Sequence, residues 1–135
     1  EDKIYISRSK ASRRKVSNEK NVLKLIKKYG FKKIDLEDFN VKDQINIFNN
    51  AKIIISPHGA GIVNMVYCSN PFRLLEIYPR DYLDSSYRVL SQVLRCDYHY
   101  MMGEKTNSSN VDPQKDDIVV NCKKLKWWLE KFSKI

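Results

Sequence analysis

No apolar run in this chain approaches the roughly 20 residues that a membrane-spanning helix needs, so no span is expected in it. Cysteine is scarce. Cys68, Cys96 and Cys122 stand far apart, with no C-x-x-C pair and no cluster with His58 or His99. That spacing argues against a zinc site, and an odd count argues against a disulfide framework. The two common phosphate-binding fingerprints are also missing. Gly59-Ala60-Gly61 is followed by Ile62-Val63-Asn64, which is neither G-x-G-x-x-G nor a P-loop ending in Gly-Lys-Ser/Thr. There is no repeat and no low-complexity tract. No leader is expected either: Glu1-Asp2-Lys3 enters a strand at once, so the chain is expected to be a domain cut from something longer, or a processed piece. Asn107-Ser108-Ser109 is formally a glycosylation acceptor, a triplet common by chance.

What is present fits one α/β domain over residues 1–135, with 42% apolar and 30% charged residues. The net charge of +9 points to an anionic partner: nucleic acid, phosphate, a nucleotide or a membrane surface. The charge concentrates in residues 3–33 and 123–134.

Hydrophobic spacing along the chain alternates between strand and helix periods. Lys3–Ser7 reads as a strand, followed by a basic loop with Arg8, Lys10, Arg13, Arg14 and Lys15. Ser17 or Asn18 can cap a helix with apolar positions Val22, Leu25, Ile26 and Tyr29, and Gly30 stops it. Phe31–Leu36 is a second strand. Val41, Ile45 and Phe48 line a second helix that Asn40 can cap. Lys52–Ser56 is an Ile-rich third strand ended by Pro57, and Ile62–Tyr67 a short helix. Arg73–Tyr78, then Ser85–Leu94, then Cys96–Met102 give a fourth strand, a helix and an edge strand; residues 103–116 are a polar loop. Asp117–Asn121 is a last short strand or turn, and Cys122–Phe132 a final helix with Trp128 on its apolar face. This alternation predicts a Rossmann-like parallel sheet with helices on both faces.

The ligand crevice of such a sheet lies at the carboxyl ends of its strands. Three groups of residues converge there. The arginines of the basic loop, Arg8 and Arg14, suit phosphate, or are simple surface ion pairs. The loop His58-Gly59-Ala60-Gly61, with Asn64, offers backbone N–H donors at a helix start, or serves as a plain tight turn. His58 can meet a ligand, cap the helix or bond a carbonyl. Glu76 can accept from vicinal hydroxyls, as acids do on ribose, or is a buried partner of His58 or a lysine.

The ordered set Ser7-Arg8, Arg14-Lys15-Val16-Ser17-Asn18-Glu19, Gly30-Phe31, Asp43-Gln44, Ala51 with the Ile run, His58 to Asn64, and Leu75-Glu76-Ile77 with Pro79 resembles glycosyltransferase family 61 over residues 3–80. The resemblance implies the C-terminal, donor-binding half of a two-domain GT-B enzyme. It would transfer a sugar from a nucleotide-sugar, of UDP type, to a glycan or protein acceptor with inversion. Arg8, Arg14 and Gly59 to Gly61, including Ala60, would hold the diphosphate, while Asn18, His58, Asn64 and Glu76 would shape the donor site. His58 is the one histidine placed for catalysis, or it contacts the donor phosphate instead. No metal or other cofactor is implied, in keeping with the absence of a D-x-D triplet. An N-terminal acceptor half is the implied partner domain, in the cytoplasm of a microbe or the ER/Golgi lumen of a eukaryote. The alternative is a non-catalytic nucleotide- or nucleic-acid-binding module, suggested by the charge and by Tyr98, Tyr100, Trp127 and Trp128; against it, the basic residues sit in one loop rather than interleaving with aromatics.

Overall fold

The Ile-rich segments lie side by side in a computed structural model of the chain, which describes residues 1–105 and 115–135. In chain order the elements are β1 (Lys3–Ile6), α1 (Glu19–Lys27), β2 (Lys32–Ile34), α2 (Val41–Asn50), β3 (Ile53–Pro57), β4 (Arg73–Tyr78), α3 (Ser86–Val93), β5 (Asp97–Met102) and α4 (Cys122–Phe132). Two 3₁₀ helices, Leu36–Asp38 and Ala60–Tyr67, complete them. Asn107-Ser108-Ser109 and most of the polar stretch 103–116 lie outside the described residues.

All five strands run parallel, in the order β2-β1-β3-β4-β5. The fold is thus α/β and Rossmann-like, as the alternation predicts. One row of the register runs Ile4, Ile54, Leu74, Tyr98 and the next Tyr5, Ile55, Leu75, His99. Successive side chains alternate faces, so these rows feed two separate cores. On one face Val22 and Ile26 of α1 and Leu125, Trp128 and Leu129 of α4 cover Tyr5, Ile53, Ile55 and Leu75. On the other, Phe48 of α2, Ile62, Met65 and the half-buried Tyr87 and Leu90 of α3 cover Ile4, Ile6, Ile54 and Leu74.

Asn40 caps α2 by accepting from the Asp43 amide at 2.8 Å, and Asn121 caps α4 by accepting from Lys123 and Lys124. Gly30 adopts φ +86°, the left-handed conformation that ends α1. Three expectations shift. Pro57 is the last residue of β3 rather than the residue after it. The segment after the glycine loop is 3₁₀, not α; its three-residue repeat brings Ile62 and Met65, each 1% exposed, to the same side. Residues 117–121 make a single parallel bridge, Val16 to Ile118, in place of the strand or turn expected there.

Trp128 is 5% exposed and donates its indole N–H to His99 Nδ1 at 3.1 Å. Trp128→Ala should cost about 3–5 kcal/mol, read as a lower denaturation midpoint; a midpoint equal to the wild type would put the ring outside the core. Burial pushes the thiols of Cys68 and Cys96 up to about 12. Both should therefore resist a thiol reagent at pH 8 in the folded chain and react once it is denatured. Rapid reaction of both in the folded chain would contradict their burial.

Candidate functional site

The strand order reverses between β1 and β3: the chain leaves β1 for β2 on one side and returns to β3 on the other. At that switch point the two strand exits splay apart and leave a crevice. A cavity of about 400 Å³ occupies it, lined by Ser7 and Arg8 after β1, Ser56, Pro57, Gly59, Ala60 and Gly61 after β3, and Gln44 and Asn64 from the covering helices.

The exit from β1 is held from below. Glu19, in the first turn of α1, accepts from Ser7 Oγ at 2.7 Å and Tyr5 Oη at 3.0 Å. Arg8 then crosses the exit of β3. A Cβ at Gly59 would lie 2.1 Å from Arg8 Nη1, so the guanidinium rests directly on the glycine backbone. Gly61 has a different duty: a Cβ there would meet Leu36 Cδ1 at 2.8 Å, so its missing side chain lets the 3₁₀ helix close on Leu36.

Arg8 Nη2 donates to the Arg13 carbonyl at 3.0 Å, while Arg8 Nε is buried without a hydrogen-bond partner among the described residues. Burial lowers the pKa of Arg8, and the positive charges of Arg14 and Arg13 lower it further. Arg8 is the one guanidinium among the lining residues of the crevice, where the Glu37 carboxylate also lies; its desolvation and its repulsion by Arg14 and Arg13 are what an anion relieves. Arg14 is 6% exposed, adopts the left-handed φ of 55°, and donates from Nε to the His58 carbonyl at 3.1 Å. Left-handed backbone in a bulky residue is costly, and here it ties the basic loop to the histidine loop.

Next to that loop lies a buried polar network. Glu76 is 0% exposed. Its Oε2 lies 2.7 Å from His58 Nδ1, and its Oε1 accepts from Tyr78 Oη at 2.7 Å and Tyr98 Oη at 2.6 Å. Tyr78 stacks on the His58 ring at 5.3 Å, and Tyr82 and Tyr87 complete the aromatic wall at 5.4 and 5.5 Å. Asp84 sits below its usual range, held there by hydrogen bonds from the Ser86 hydroxyl and amide.

Arg8, Arg14, His58, Gly59, Ala60, Gly61 and Asn64 therefore come together, as the sequence arrangement expects. Asn64 donates to the Gly61 carbonyl at 3.2 Å and lines the cavity. Glu76 is beneath the site, with both oxygens engaged by protein, which is the buried-partner arrangement rather than the open hydroxyl acceptor. Asn18 stands apart. Its side chain makes no cap bond; it donates to the Val120 carbonyl at 2.8 Å and accepts from the Val120 amide at 3.0 Å, clasping the segment before α4. The aromatic wall is the part that the sequence does not announce. Its one available signal is strand parity: Glu76 and Tyr78 share a face of β4, and Tyr98 shares a face of β5 with Tyr100.

A larger, mostly apolar groove of about 480 Å³ lies between β5 and α4, lined by Tyr100, Met101, Lys123, Lys124, Trp127 and Trp128. It carries none of the convergent polar groups of the switch-point crevice. Among the described residues no helix is long and apolar enough to cross a membrane.

These features define a Rossmann-like α/β domain with a cationic, glycine-floored crevice at its switch point. The profile of the family Glycosyltransferase 61 matches residues 1–75, more than half of the 135 residues. The chain belongs to that glycosyltransferase family. No curated protein matches it at a significant level.

If Arg8 needs the bare Gly59 backbone beneath it, Gly59→Ala should displace the guanidinium without unfolding the chain. Pyrophosphate affinity measured by calorimetry should then fall about tenfold, the loss of one charge-assisted contact. Equal affinity in the variant would remove that contact from the site.

Proposed function

We propose that this chain is the donor-binding domain of a glycosyltransferase, taking a nucleoside diphosphate sugar of UDP type and passing the sugar to a glycan or protein hydroxyl with inversion. The observation that carries the reading is Arg8: a guanidinium lying on Gly59 at the switch point, its Nε buried without a partner among the described residues. A diphosphate offers the oxygens that such a cation lacks. Arg14 adds charge and holds the His58 loop in register. The glycine-floored crevice admits a phosphate close to backbone, and Asn64 and Gln44 give polar lining on the far side for the nucleoside or sugar.

In this reading an inverting step needs charge stabilisation for the departing diphosphate, and the arginines supply it without a bound metal. The acceptor contacts belong to a second, N-terminal half of the GT-B type. The nucleic-acid alternative loses weight because Trp128 is core, leaving only Tyr100 and Trp127 as exposed aromatics of the four.

The test is calorimetric titration with UDP, with GDP and a random single-stranded oligonucleotide as comparators. Arg8→Ala should weaken UDP binding by about 1.5–3 kcal/mol, roughly 10- to 150-fold. Undiminished UDP affinity in that variant, or binding of the oligonucleotide but not UDP, would overturn the reading.

A further inference from the structure

His58 has two ring nitrogens, and the surrounding hydrogen bonds decide which carries the proton in the neutral ring. The decision starts at Tyr98, on the edge strand β5. A phenol hydroxyl has one hydrogen. Tyr78 Oη lies within reach of three acceptors, Glu76 Oε1, the Asp84 carbonyl and, at 3.2 Å, Tyr98 Oη, so its hydrogen is shared. Tyr98 has its shortest contact, 2.6 Å, to Glu76 Oε1. Burial and the Glu76 charge raise the pKa of both phenols, which keeps both hydroxyls protonated and donating. Oε1 is thereby committed to the tyrosines. Oε2 is left facing His58 Nδ1 at 2.7 Å. An ionised carboxylate only accepts, so the hydrogen between them belongs to Nδ1. Among the described residues no hydrogen bond engages His58 Nε2.

We infer that Tyr98 and Tyr78, acting through Glu76, are positioning residues that hold neutral His58 as its Nδ1–H tautomer, so that Nε2 accepts a hydrogen from a substrate hydroxyl and does not donate one to the diphosphate. The identity of the substrate rests on the donor-domain reading above; the tautomer does not. The arrangement gives the two polar groups of the site opposite duties. Arg8 donates to the anion, and His58 accepts from a hydroxyl, as an inverting transfer requires of a group that relieves the attacking oxygen of its proton.

The chain carries its own reference. His99 Nδ1 accepts from the Trp128 indole N–H at 3.1 Å, and indole only donates. Neutral His99 is therefore the Nε2–H form, with Nε2 3.0 Å from Asp97 Oδ1. Long-range nitrogen–proton NMR correlation of the ¹⁵N-labelled chain, at a pH where both rings are neutral, should show one histidine of each tautomer, with His99→Gln removing the Nε2–H pattern. Saturating UDP should leave His58 with hydrogen on Nδ1 and a bare Nε2. In Glu76→Gln the tyrosines keep the amide oxygen, the NH₂ turns to Nδ1, and His58 should switch completely to Nε2–H while His99 stays as it was. Tyr98→Phe alone, which keeps the accepting carboxylate, should leave His58 as Nδ1–H, whereas Tyr98→Phe added to Glu76→Gln frees the amide to flip and should give a mixture of the two His58 forms.

Two Nε2–H rings in the wild type would overturn the proposal, and so would a His58 whose Nε2 becomes protonated when UDP binds. If Glu76→Gln does not fold, the wild-type spectrum with and without UDP still decides. Absence of UDP binding would count against the donor-domain reading alone, because the tautomer of His58 in the free chain tests the network without any nucleotide.

Discussion

The contact on which the site depends is that of the Arg8 guanidinium with the Gly59 backbone. It exists only because β1 and β3 are neighbours while their connections diverge, β1 going out to β2 and β3 going on to β4. The reversal separates the strand exits enough for a crevice and keeps them near enough for one arginine to bridge them. Everything around it serves that bridge. Glu19 fixes the β1 exit through Ser7 and Tyr5, Arg14 ties the basic loop to the His58 carbonyl, and Gly61 lets the 3₁₀ helix close on Leu36. The cost is a cluster of like charges with part of the hydrogen-bonding capacity of Arg8 unused, which an isolated fold gains nothing by keeping. That imbalance is the physical reason for reading the crevice as an anion site.

The second feature of the site is a division of labour by burial. Arg8 and the cavity lining remain open to a ligand, whereas Glu76 is sealed among two tyrosines and a histidine. A carboxylate this buried is tolerable because each of its oxygens has donors. Its influence reaches the site only through His58, whose ring is stacked on Tyr78 and walled by Tyr82 and Tyr87. The edge strand, whose tyrosines the sequence ties only to the nucleic-acid alternative, enters through the Tyr98 hydroxyl.

Much of this is legible in the sequence, for identifiable reasons. Doubly buried strands are short apolar runs, so Ile53 to Ile55 announce the sheet centre, and the 3.6-residue spacing of Leu125, Trp128, Leu129 and Phe132 announces α4. The family pattern brings Arg8, His58 and the glycines together because they flank two adjacent strand exits. What fails depends on long-range partners. Asn18 looks like Asn40 and Asn121 locally, and all three precede helices, yet its side chain finds the Val120 backbone instead of its own helix. Glu76 could meet ribose or His58; only the register of β3 with β4, which sets Ser56 beside Glu76, decides for the histidine two residues on. The tyrosine wall gathers residues 78, 82, 87 and 98, whose meeting no local pattern encodes.

The central claim is that the β1–β3 switch point takes a nucleoside diphosphate. A crystal structure of the chain grown with UDP tests it most directly. The diphosphate should lie on the Arg8 guanidinium above Gly59, with the uridine directed along the cavity toward Asn64 and Gln44. UDP seated instead in the apolar groove beside Trp127, with the Arg8 crevice holding no part of the nucleotide, would contradict the claim.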